Sequence, residues 1–133
     1  MTGQQFETEF CELMKAFGYW ALNIPRNKSG AQPFDVIAIH GWNIFAVDCK
    51  VCGRNSFPLD RVEDNQWTAF KVVHDRTDAR VGIVAYHKGD IYFLSYSLLL
   101  AGRRQERKSI PLVKPLILFS KDDIKDILGR YME

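Results

Sequence analysis

Apolar residues recur along this chain with two different periods, and the switches between them lay out its elements. Phe6, Phe10, Leu13, Met14 and Phe17 follow helical spacing, and Gly18 supplies a stop, so the first element is predicted to be a helix. "YWALNI" (Tyr19 to Ile24) reads as a strand and "PRNKSGAQP" as a loop. Two strands follow, Phe34 to His40 and Asn43 to Val51, joined by a tight hairpin at His40-Gly41-Trp42-Asn43. "RNSFPL" reads as a loop. Asp60 to about Asp75 reads as a helix, with Val62, Ala69, Phe70 and Val73 along one side. "VGIVAYHKGDIYFLSY" is a second hairpin that turns at Lys88-Gly89-Asp90. Ser97 is placed to cap a short helix through Leu100. "SIPLVKPLILFS" is extended and broken by proline, and Ser120 with Asp123 opens a last helix from Lys121 to about Tyr131. Trp42, Trp67 and Phe57 read as core side chains in preference to base-stacking surfaces. This order predicts an α/β fold, a mixed sheet flanked by helices, in one domain over residues 1–133.

Charge breaks this pattern in one place. "PFDVIAIHGWNIFAVDCK" carries Asp35, Asp48 and Lys50 within two otherwise apolar strands, where unpaired charge is costly. Side chains alternate along a strand, so Asp48 and Lys50 share a face and Cys49 points to the other. A hairpin lays the preceding strand alongside, so Asp35 near its open end reaches the same edge. Two carboxylates brought close repel, and a hard divalent cation, magnesium or manganese, relieves that repulsion. Lys50 is then suited to hold a nucleophilic water or to offset charge on a phosphate. The competing reading is an ordinary surface pair of Asp48 with Lys50, with Asp35 merely starting a strand.

Gln66 is a second break. It lies on the apolar side of its helix, one turn from Val62, where a buried amide needs partners. Its carbonyl oxygen could complete a metal's shell, or the amide could bond to the main chain of the sheet. Glu7 and Glu9 lie on opposite edges of the phenylalanine stripe of the first helix, and Glu12 points away. Spacing does not choose between the two edges.

Composition adds limits. Apolar residues make up 47% of the 133, enough for a core. No apolar run is long enough for a membrane span and no signal-peptide pattern opens the chain, which predicts a soluble, cytoplasmic protein. The net charge is +2, but positive charge is bunched in "GRRQERK" and "PRNKSG", either solvated faces or grips for nucleic acid. Cys11, Cys49 and Cys52 are an odd set read as reduced thiols. The lone Cys49-x-x-Cys52 starts inside a strand with no second pair, so neither a redox motif nor a zinc set is expected.

A helical glutamate, then "PFD", then "VDCK" resembles the PD-(D/E)xK nuclease superfamily, which implies a restriction-endonuclease-like fold. More closely, "DCKVCGRNSFPLDRVEDNQ" and "GRRQERKSIP" resemble the RecU family of Holliday-junction resolvases. "GQQFETEF" is similar to the first helix of the related archaeal resolvases. Carried over by position, the family's metal ligands fall on Asp35 and Asp48, its lysine on Lys50, its helical glutamine on Gln66, and its glutamate on Glu7. Asp48 stands where the family usually has glutamate, and Pro33 where it has threonine. The basic N-terminal arm typical of RecU is missing and the segment before Asp35 is short, as in a compact version of the kind a phage encodes, acting in bacterial cytoplasm.

The resemblance implies Mg2+-dependent nicking of four-way DNA junctions in recombination and repair, with Mn2+ able to substitute. The mechanism expected on this basis adds the Cys49 carbonyl to the metal shell, and the two-fold symmetry of a four-way junction calls for a homodimer that delivers paired nicks. Arg26, Lys28, Arg103, Arg104, Arg107 and Lys108 would grip phosphates. The same constellation serves restriction enzymes and repair nickases, and a retired site on this fold would leave a DNA-binding or protein-inhibiting module.

Overall fold

A computed structural model describes residues 1–26 and 32–132. The elements run α1 (Gly3–Ala16), β1 (Trp20–Asn23), β2 (Val36–His40), β3 (Asn43–Val51), β4 (Ser56–Pro58), a 3-10 turn (Leu59–Arg61) and α2 (Asp64–Arg76). Then come β5 (Arg80–His87), β6 (Asp90–Ser95), α3 (Tyr96–Arg104), β7 (Ser109–Pro111), a second 3-10 turn (Lys114–Leu116), β8 (Ile117–Phe119) and α4 (Lys121–Leu128).

Six strands form one sheet in the order β1-β2-β3-β5-β6-β8, and β4 pairs separately with β7. Within the large sheet β3 and β5 are parallel and every other pair is antiparallel. Parallel neighbours need a crossover, and α2 provides it. Strand alternation then sends side chains to two separate cores. Phe45, Val47, Cys49, Val84 and Ile91 pack with Phe6, Phe10 and Leu13 of α1 and Ile124 of α4. Ala46, Val81, Ile83 and Leu94 pack with Phe70 of α2 and Leu99 of α3. The result is a mixed sheet with helices on both faces, as the apolar periods predict.

Several boundaries differ from the sequence reading, each for a local reason. Part of "RNSFPL" is strand β4, because Phe57 is buried opposite Ile110 of β7. The helix read from Asp60 is a 3-10 turn, then an extended break at Val62 and Glu63, then α2. Ser95, not Ser97, caps α3, its hydroxyl accepting from the Leu98 N–H. The last helix stops at Leu128 because Gly129 adopts a left-handed φ of 74°. Phe57 is core, and Trp67 is half-buried against Tyr96, but Trp42 is 96% exposed at the β2–β3 turn. Its place at the tip of the tight turn leaves it without cover from the described residues.

Gly82 shows how tightly the central strands are drawn together. It sits in β5 opposite Ser95, at φ 155°, and a Cβ there would collide with the main-chain carbonyl of Leu94. Backbone cannot yield as a side-chain tip can. Gly82→Ala is therefore expected to destabilise the fold by about 3 kcal/mol or more, read by urea unfolding. A loss below about 1 kcal/mol would show that the β5–β6 pair is looser than described.

Candidate active site

The β2–β3 register builds the site. Val36 faces Val47, and the ladder runs one residue further, since the Asp35 N–H donates to the Val47 carbonyl at 2.9 Å. Asp35 therefore lies across from Asp48. By alternation both belong to the face that carries Ile37, Ala46 and α2, and Lys50 follows on the same face. Like charges directly opposite in a sheet are destabilising. These two are also buried, with Asp35 8% and Asp48 4% exposed. Folding alone gives no reason to set them there.

The compensation they find is partial. Asp35 Oδ2 accepts the Cys49 N–H at 2.8 Å, a main-chain donor that β2 leaves free where it starts. Lys50 Nζ lies 3.1 Å from Asp48 Oδ2, close enough for an ion pair. That approach is poorly directed, however, and Asp48 Oδ2 receives no properly oriented hydrogen bond although it is buried. The Lys50 ammonium is thus its nearest compensation, through charge attraction and without a hydrogen bond.

Glu7 comes from α1, on the other face, and is 3% exposed. Its Oε2 accepts from Arg26 Nη2 at 2.8 Å. Glu9, on the other edge of the stripe, pairs with Arg130 instead. The structure thus separates the two edge glutamates: Glu7 interacts with Asp35, and Glu9 is tied to the C-terminal region.

Gln66 arrives from the first turn of α2 and is 3% exposed. Its Oε1 accepts the Glu63 N–H at 3.0 Å, so the amide caps its own helix instead of bonding to the sheet. A carbonyl oxygen has a second lone pair, which leaves one acceptor position for the cleft. The positive end of the α2 dipole favours anionic groups beside it. Together Arg26, Gln32, Asp35, Asp48, Cys49, Lys50, Glu63 and Gln66 line a polar cleft of ≈ 130 Å3.

Burial and crowding raise two of the acids, Asp35 and Glu7. Asp35 is pushed up to about 6, first by desolvation and then by Asp48, against the Cys49 N–H and Glu7. Glu7 is raised by burial and by Asp35, with Arg26 opposing. Burial raises the Cys49 thiol well above its usual value, so it stays protonated, and all three cysteines are free. A thiolate nucleophile or thiolate metal ligand is thereby disfavoured at Cys49.

The acid shift sets a stability prediction. A carboxyl with a raised folded pKa costs the fold stability once pH passes its unfolded value near 4, and the full cost is reached above about 6. Asp35→Asn removes that cost and keeps an acceptor for the Cys49 N–H. At pH 7.5 in a chelator Asp35→Asn should therefore be more stable than wild type by about 2 kcal/mol, with the gain fading toward pH 4. Thermal unfolding across that range measures it, and a variant no more stable at pH 7.5 would contradict the crowding described.

The basic segment after α3 is anchored to the stretch that follows β3. Lys108 accepts at its carbonyl from Leu59 N–H at 2.9 Å, and Arg61 Nη1 donates to the Val51 carbonyl at 2.9 Å. These bonds tie the segment after α3 to the strand end that carries Lys50. Arg103 stacks over Trp67, the neighbour of Gln66, at 4.7 Å. Arg103, Arg104, Arg107 and Lys108 are all exposed. Lys28 lies outside the described residues.

The structure therefore brings Asp35, Asp48, Cys49, Lys50 and Gln66 to one cleft, with Glu7 reaching it through Asp35 and Arg26. Two features escaped the sequence reading. Arg26 is bound to Glu7, and Glu63 lines the rim; the spacing of Glu63 to Gln66 is a capping signal that could have placed the latter. Asp35, Asp48, the Cys49 carbonyl and Gln66 are hard oxygen donors, and the unsatisfied Asp48 Oδ2 fits a small divalent cation. Among the described residues, no three His, Cys, Asp or Glu side chains form a metal-binding cluster by themselves. The oxygens instead make a partial shell with open positions.

No protein-family model matches the chain, and no curated protein matches it. Among solved structures it is similar to Hjc of Archaeoglobus fulgidus, a Holliday junction resolvase from an archaeal hyperthermophile. The TM-score is 0.56 and the identity 19%, over 71% of this chain and 78% of that one. The shared feature is the fold, a restriction-endonuclease-like mixed sheet flanked by helices.

Proposed function

We propose that this protein is a divalent-metal-dependent DNA endonuclease of the RecU kind that nicks four-way junctions. The observation that carries the reading is the buried Asp35–Asp48 pair with an unsatisfied oxygen beside Lys50. Its fold, shared with a junction resolvase, supports the choice of substrate.

In this reading Asp35 and Asp48 hold Mg2+, or Mn2+ in its place, helped by the Cys49 carbonyl and the free lone pair of Gln66, with Glu7 at the periphery. The ion supplies Lewis acidity toward a phosphate oxygen and eases deprotonation of water. Lys50 Nζ orients the attacking water and offsets the negative charge that grows on the phosphate. Gln66 holds the mouth of α2 against the cleft through its bond to Glu63. Arg26 and the Arg103, Arg104, Arg107 and Lys108 group take flanking phosphates, with Lys28 assigned on sequence alone, so binding weakens with salt.

A four-way junction is close to two-fold symmetric, and a homodimer with one site per subunit matches it. Trp20, Leu22 and Ile39 are exposed at β1, the edge strand of the sheet among the described residues, a surface that supports such pairing.

The test is cleavage of a mobile four-way junction beside a matched linear duplex, with Mg2+. Symmetric paired nicks in the junction are expected. Equal cutting of both would move the protein to another nuclease class, and no cutting with either Mg2+ or Mn2+ would leave a DNA-binding module.

A further inference from the structure

Arg26 is read from the sequence as a phosphate grip, yet its Nη2 donates to the buried Glu7 carboxylate. It lines two adjoining hollows at once. One is the ≈ 130 Å3 cleft with Asp35 and Asp48, and the other, of ≈ 260 Å3, holds Glu7 beside Gln4, Asn23 and Pro25. Arg26 thus stands between Glu7 and the two aspartates, while its own side chain is mostly exposed. The exposed guanidinium is rehydrated readily, but Glu7 is buried, so release requires another cation close by to offset its charge.

The charge balance points the same way. Among the buried groups, three carboxylates, Glu7, Asp35 and Asp48, face two cations, Arg26 and Lys50, while Glu63 on the rim is exposed and screened by solvent. One negative charge is left over. Adding a divalent ion while Arg26 stays would overshoot to one positive charge. Exchanging Arg26 for the divalent ion brings the cluster to neutrality, the favoured balance in a desolvated site. Glu7 is meanwhile committed to Arg26, in keeping with the lack of a three-acid metal cluster among the described residues.

We propose that Arg26 is a cationic latch: its guanidinium occupies the acidic site in the metal-free protein and is released from Glu7 when a divalent cation is taken up at Asp35 and Asp48. This rests on the metal-site reading above, and the experiment keeps the two apart. Side-chain guanidinium 15N signals are followed during Mg2+ titration of the full chain, without DNA, with Arg26 assigned through Arg26→Lys. Calorimetry reports Mg2+ binding on the same samples.

The Arg26 signal should move from a paired to a freely rotating position, with the midpoint that calorimetry gives. Arg130 on Glu9 should not move. Arg26→Gln should bind Mg2+ about tenfold more tightly, because it removes the competitor. Mg2+ binding with an unmoved Arg26 signal, or with no gain in Arg26→Gln, overturns the latch and leaves the metal site standing. Absence of any Mg2+ binding overturns both.

Discussion

Asp35→Asn and Asp48→Asn are each expected to lower Mg2+-dependent nicking by roughly a thousandfold, with junction binding held or improved. The reason lies in the register. Each aspartate puts one carboxylate on a single face of the β2–β3 pair, and neither has a substitute donor of the same charge within that pair. Asparagine keeps the size and, at Asp35, the bond from the Cys49 N–H, so the fold is preserved while the ionic oxygen is lost. Removing one buried negative charge also lessens repulsion of the phosphate backbone, which is why binding does not suffer. Asp35→Asn carries its own control, since greater stability at pH 7.5 rules out unfolding as the cause. Nicking by both purified variants at the wild-type rate would remove these residues from the site.

Lys50→Ala carries the second large effect, a fall of about 10²–10³ in the single-turnover rate with Mg2+ affinity nearly kept. Lys50 is a half-buried amine on the aspartates' face, 3.1 Å from Asp48 Oδ2. An amine there acts on charge that develops at the phosphate, an interaction stronger in the transition state than before it. Its loss also leaves Asp48 without its nearest cation, so metal affinity is predicted to hold or rise slightly. Rapid-quench measurement at saturating enzyme separates the chemical step from binding. An unchanged rate would leave Lys50 as a mere partner of Asp48.

The legibility of this site in the sequence followed the strength of local periodicity. Alternation in "VIAIH" and "NIFAVDCK", with a glycine turn between, fixed which side chains share a face, and that placed Asp48 with Lys50. The helical stripe set Gln66 inward for the same reason. What periodicity could not supply was anything decided by long-range contact. Glu7 and Glu9 are equivalent by spacing; the resemblance pointed to Glu7, and the physical distinction comes from the arrival of Arg26 at Glu7 and Arg130 at Glu9. The short strand β4 has three residues and exists because Phe57 pairs with Ile110, more than fifty positions away. Trp42 was misplaced in the core because residue type outweighed its position at a turn, where it is exposed. Gln66 was inward as expected, but its oxygen is shared with Glu63 in a capping contact that begins after a break invisible to the 3.6-residue period.

A cation bridging Asp35 and Asp48 is the claim from which the nuclease reading follows, and diffraction from crystals soaked in Mn2+ addresses it directly through anomalous scattering. The account predicts a peak within coordination distance, about 2.0–2.3 Å, of oxygens from both aspartates, and its loss in Asp48→Asn. Crystals that show Mn2+ elsewhere, or none between these carboxylates at saturating concentration, would contradict it.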